Sequence, residues 1–83
     1  MVEVKFTCSK DGHSMEFNFS FDDSKKSNSD IRSISKAILS FDTYMVSIGD
    51  DFRISGKKTD SPVHRQASAN IFENTVRTLC ESL

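Results

Sequence analysis

The chain has 83 residues, 11 Lys and Arg against 12 Asp and Glu, and 36% apolar content. One domain, residues 1–83, is the expectation at that length, with a single core that leaves little room for a deep substrate cavity. A formal net charge of −1 supplies no global field toward nucleic acid or anionic membrane, and no apolar run approaches the roughly 18 residues of a membrane span.

Val2, Val4, Phe6 and Cys8 alternate with Glu3, Lys5, Thr7 and Ser9. That alternation is a strand and not the apolar stretch of a signal peptide, so a cytoplasmic location is expected. Met15, Phe17, Phe19 and Phe21 then alternate with Glu16, Asn18, Ser20 and Asp22. Between the two runs, Asp11-Gly12 suits a type I′ turn, in which both central residues take positive φ. With that turn, Cys8 faces Met15, Phe6 faces Phe17, Val4 faces Phe19 and Val2 faces Phe21. Every apolar residue then shares one face, and a one-residue slip would undo this.

Residues 22–30 are a polar connection without apolar anchors. Ile31, Ile34, Ala37, Ile38 and Phe41 follow helical spacing, which predicts a helix over 29–41 with Ser29 as its cap and Asp30 in the first turn. Tyr44, Val46 and Ile48, then Phe52 and Ile54, predict a second hairpin around Gly49-Asp50-Asp51. Ile48 then pairs with Phe52, Val46 pairs with Ile54, and Asp51 takes the left-handed position. After the polar residues 56–61, Ser61-Pro62 reads as a cap followed by proline at the first helical position. Ala69, Phe72, Val76, Leu79, Cys80 and Leu83 form an apolar stripe. Projecting back at about 100° per residue places Arg65 on that stripe and Val63 opposite it. Either the regular helix starts nearer Ala67 or an irregular first turn covers 62–66, and the favoured expectation is a helix proper at about 67–82.

The order β-β-α-β-β-α points to an α+β fold: a single-domain two-layer sandwich, with a four-stranded antiparallel sheet and two helices on one face. The expected core is Val4, Phe6, Phe17, Phe19, Ile34, Ile38, Val46, Ile54, Phe72, Val76 and Leu79.

Two cysteines and two histidines, none at metal-ligand spacing, imply no metal and no cofactor. Cys8 and Cys80 read as reduced, buried side chains, with a bridge between the chain ends as the alternative. No phosphate-loop, nucleophile-elbow or zinc-protease motif occurs. The 14 serines lack an aligned base, and Asp22-Asp23 and Asp50-Asp51 sit in turns, so no enzyme activity is expected.

Against this neutral background, Lys25, Lys26, Arg32 and Lys36, with Arg53, Lys57, Lys58, His64 and Arg65, form two basic segments. Each lies where a hairpin leads into a helix. If those connections share one end of the sheet, as expected, they form a candidate partner-binding patch able to contact phosphates. Ser55-Gly56-Lys57-Lys58, followed by a helix containing Ala67 and Ala69, resembles the lysine-rich helix start of double-stranded-RNA-binding domains over about a third of the chain. Pro62 and the N-terminal hairpin depart from that family's pattern. The phenylalanines of the first hairpin point to the core side, so the sheet's polar face lacks the stacking aromatics of RNA-binding sheets. The reading is a small non-enzymatic interaction protein of inhibitor, antagonist or adaptor type, such as a phage- or plasmid-encoded regulator. Its expected partner is a protein, bound through an edge strand or the polar face, and a homodimer fits that reading. Nucleic-acid binding through segments 25–36 and 53–65 is the alternative.

Overall fold

In the computed structural model, which describes residues 1–83, the first hairpin takes the register its alternation dictates. β1 (Val2–Lys10) and β2 (His13–Phe21) pair antiparallel, with Cys8 opposite Met15 and Phe6 opposite Phe17. Asp11 and Gly12 hold φ of 52° and 80°, the two left-handed positions of a type I′ turn. Asp42 fastens this turn from a distant segment. Its Oδ2 accepts the Asp11 N–H at 3.0 Å, and its own N–H donates to the Ser9 carbonyl at 2.9 Å.

The connection after β2 is a wound turn organised by Asp23. Its carbonyl accepts the Ser27 N–H at 3.0 Å, and its Oδ1 accepts the Lys25 N–H at 2.9 Å. Helix α1 (Asn28–Ser40) therefore begins one residue earlier than the spacing suggests. Ser29 lies inside it and does not cap, because the preceding turn already sets the chain's entry.

β3 (Thr43–Ile48) and β4 (Phe52–Lys57) pair with Ile48 opposite Phe52 and Val46 opposite Ile54. The left-handed residue of their loop is Gly49, with φ 61°, and not Asp51. Glycine takes that conformation without a Cβ penalty, and here its N–H also donates to the Glu3 carbonyl at 2.8 Å. Helix α2 (Pro62–Glu81) is regular from its first residue, with the Ser61 Oγ accepting the His64 N–H at 3.1 Å. The irregular turn expected over 62–66 is absent, for a reason that lies with Arg65.

The sheet order is β2-β1-β3-β4, and both helices lie on its apolar face in the expected α+β arrangement. Val2, Val4, Phe6 and Cys8 of β1 and Tyr44, Val46 and Ile48 of β3 are all buried, with Ile31, Ile34 and Ile38 from α1 and Ala69, Phe72, Val76 and Cys80 from α2. The helices thus cover the two central strands. The edges receive less cover, so three expected core residues move outward: Phe19 and Ile54 are half-buried and Phe17 is 44% exposed. A fourth, Leu79, is 40% exposed because it flanks the buried stripe of α2 that runs through Ala69, Phe72, Val76 and Cys80. At the other end of β2, Phe21 is buried beneath the helices. Tyr44 fills the space over its cross-strand partner Gly56, where a Cβ would collide with the ring, and its buried hydroxyl has no hydrogen-bond partner.

Cys8 and Cys80 are free thiols inside the core. Burial raises both above the ordinary thiol value of 9.0, and Asp22 and Asp23 push Cys80 further. A raised folded pKa means the thiols contribute their full stability below the unfolded value, and the contribution is lost as pH rises toward the folded one. The urea midpoint is therefore expected to fall once pH passes about 9, with the fall reduced in a Cys8→Ala/Cys80→Ala double variant. Unfolding curves from about pH 8 to 10 measure this, and an unchanged pH slope in the double variant would refute it.

Candidate functional site

Of the nine basic-segment side chains, Arg65 is the one the fold removes from the surface, at 8% exposure. Its Nη1 donates to the carbonyls of Ile38 at 3.1 Å and Phe41 at 2.6 Å, and its Nη2 to those of Lys57 at 2.8 Å and Asp42 at 3.3 Å. The guanidinium also lies 5.8 Å from the centroid of the Tyr44 ring. One side chain thus satisfies carbonyls at the end of α1, in the following turn and at the end of β4, where a cation also suits the negative end of the α1 dipole. This explains both its place on the apolar stripe and the regular first turn of α2. Arg65 is a structural anchor and not part of a binding patch.

The other eight are exposed but do not converge. Because β1 pairs antiparallel with both β2 and β3, and β4 antiparallel with β3, β2 and β4 run in opposite directions. The connections into α1 and α2 therefore leave opposite ends of the sheet, contrary to the expectation of a shared end. Lys25 and Lys26 lie at one end beside Asp22 and Asp23; Lys57, Lys58 and His64 lie at the other, about 30 Å away by the length of α2. Asp60 counters the second group, accepting the Lys57 N–H at 2.8 Å with its Oδ2 3.8 Å from His64 Nε2. Arg32 and Lys36 occupy the outer face of α1, and Arg53 lies on the polar sheet face beside Glu3, Lys5 and Asp50.

A different surface stands out in the structure: the free edge of β2. A two-residue turn makes Lys10 and His13 a hydrogen-bonded pair, so Cys8–Met15, Phe6–Phe17 and Val4–Phe19 are hydrogen-bonded pairs too. The backbone groups of Ser14, Glu16, Asn18 and Ser20 consequently point outward. The alternation is visible on β1, where the Glu3 and Ser9 carbonyls turn toward the β3 side to accept from Gly49 and Asp42. Neither a proline nor a lysine protects this nine-residue edge, and Glu16 is its one acidic side chain.

The apolar face of the same strand is incompletely covered. Met15 is 38% exposed and Phe17 44%. Phe41, Phe6, Phe17, Phe19 and Phe21 form an aromatic row with successive centroids 6.3, 6.4, 6.5 and 5.8 Å apart. Beside it runs an open groove of about 240 Å³, walled by Phe6, Phe17 and Phe19 from the sheet and by Ile34, Ala37 and Phe41 from α1 and its end. Sequence reading placed these phenylalanines on the correct face. It missed their exposure, which depends on where the helices settle.

The opposite, polar face of the sheet is open, with a shallow depression of about 540 Å³ lined largely by Thr7, Ser9, Ser14, Glu16, Thr43 and Met45. Ser9 and Thr43 hydrogen-bond to each other there. No three His, Cys, Asp or Glu side chains come together in a way that could hold a metal ion, and no helix is long and apolar enough to cross a membrane. No family model, curated protein or solved structure matches the chain.

Proposed function

We propose that the protein is a small non-enzymatic interaction protein that binds and modulates another protein by accepting an extended segment of it as a fifth strand beside β2. The observation that carries this reading is the unpaired nine-residue edge whose apolar face leaves Met15 and Phe17 substantially exposed. An incoming strand gains main-chain hydrogen bonds from Ser14, Glu16, Asn18 and Ser20, which is the general source of affinity in strand addition. Its alternate side chains enter the groove between the aromatic row and α1, so the expected segment alternates apolar residues with small or polar ones. Inhibition, antagonism or adaptor activity follows from occupying that segment. The nucleic-acid reading draws less support, because its basic segments sit at opposite ends of the sheet and Arg65 is buried.

Panning a random twelve-residue peptide library against the immobilised protein tests the proposal. Selected peptides are expected to alternate in polarity, to shift the amide resonances of residues 13–21 and of α1, and to lose binding with Phe17→Lys. Selection of peptides that leave those resonances unmoved would overturn it. So would retention of mixed duplex or single-stranded DNA at 50 mM salt that is abolished by Lys57→Glu/Lys58→Glu, which favours the nucleic-acid reading.

A further inference from the structure

We infer that, in the absence of a partner segment, the strand filling this edge is β2 of a second copy, which joins two molecules into a symmetric dimer with one continuous eight-stranded sheet that a partner segment must open. The inference rests on the reading of β2 as the interaction edge and names its occupant. Outward-facing backbone groups belong to even-numbered residues, so a two-fold pairing must bring even-numbered residues opposite one another. This leaves few registers. Centring the dyad on Glu16 sets two carboxylates face to face. Centring it on Phe17 brings Asp11 of one copy toward Asp23 of the other.

Centring the dyad on Asn18 removes both conflicts. Asn18 meets Asn18, Glu16 meets Ser20 and Ser14 meets Asp22, while the turn residue Asp11 approaches Lys25 and His13 approaches Asp23. On the apolar face Phe17 meets Phe19, so these incompletely covered rings gain apolar partners, and Met15 lies opposite the buried Phe21. Residues 15–21 of the two copies form about six backbone hydrogen bonds.

The walls of the groove also permit the approach. The flank of α1 beside it presents Ser33, Ala37 and Ser40, which are small and uncharged, and the two serine hydroxyls are already turned back to the Ser29 and Lys36 carbonyls of their own helix. No charged side chain lines the groove itself, so a second copy approaching it meets no like charge there. Lys5 remains paired with Glu16 at 3.1 Å on the polar face, which leaves Asn18 as the uncharged centre of the seam.

The test is a charge exchange at the dyad, read by sedimentation equilibrium on the full chain. The wild-type protein is expected to sediment at twice its 9.3 kDa mass at micromolar concentration. Asn18→Asp alone and Asn18→Lys alone are each expected to shift to monomer with unchanged circular dichroism, and an equimolar mixture to recover a dimer containing one of each. Pairing centred on Phe17 would instead leave Asn18→Lys dimeric, through Glu16, and would overturn the register. A monomeric wild type would overturn the dimer itself. Neither failure touches the strand-accepting reading, which is judged separately by the selected peptides and their resonance map.

Discussion

Replacing Arg65 with alanine is expected to remove about 3–4 kcal/mol of folding stability, measured by urea unfolding at neutral pH. A chain of 83 residues has roughly 4–12 kcal/mol in total, so this single change brings it near the threshold of unfolding. The cost arises from four carbonyls, those of Ile38, Phe41, Asp42 and Lys57, which lose one charged, forked donor together. Arg65→Lys retains the charge, but a compact ammonium has no planar fork to span acceptors in three segments, and it is expected to recover less than half of the loss. Arg65→Met retains the buried stem and isolates the contribution of the guanidinium. A loss below about 1 kcal/mol for the methionine variant would mean that water satisfies these carbonyls, and the anchoring role would fail.

Arg65 also marks the boundary of what the sequence discloses. Local rules suffice where chemistry and pattern act over a few residues. The Asp11-Gly12 turn sets the β1–β2 register and strand alternation sets which face is apolar, whereas the Ser61-Pro62 signal for the start of α2 is outweighed in the sequence by Arg65 on the apolar stripe. Helical projection already places Arg65 on the buried stripe, and a cation in that position signals a cluster of unsatisfied carbonyls as readily as a frayed turn. Its acceptors, however, lie between 8 and 27 residues away, and no local pattern couples them. The direction of the connections is hidden for a related reason. Two hairpins in sequence do not reveal which of their strands become neighbours, and the β1–β3 pairing alone sends the two basic segments to opposite ends. The exposure of Phe17 depends on the same step: with β1 and β3 at the centre, two helices cover the middle of the sheet and leave β2 at a margin.

Gly56→Val is the second substitution expected to be severe, costing about 3 kcal/mol, because the added side chain meets the buried ring of Tyr44 from the opposite strand. The ring cannot retreat freely. It is 3% exposed, packed beneath the helices, and flanked by the Arg65 guanidinium, so displacing it disturbs the carbonyl anchor as well. The mechanism predicts a specific coupling. In a Tyr44→Val background, where the ring is gone, Gly56→Val is expected to be neutral or stabilising, since valine suits a strand better than glycine. The interaction energy between the two sites should therefore reach about 2–3 kcal/mol in a double-mutant cycle, whereas additive effects would show that glycine serves the backbone and not the ring. Gly56 lies on β4, across the full width of the sheet from β2. Among molecules that remain folded, Gly56→Val should leave strand addition at the β2 edge intact, while Asn18→Asp should weaken self-association with little loss of stability. That opposite pattern separates the residues that hold the sheet together from those that offer it to another chain.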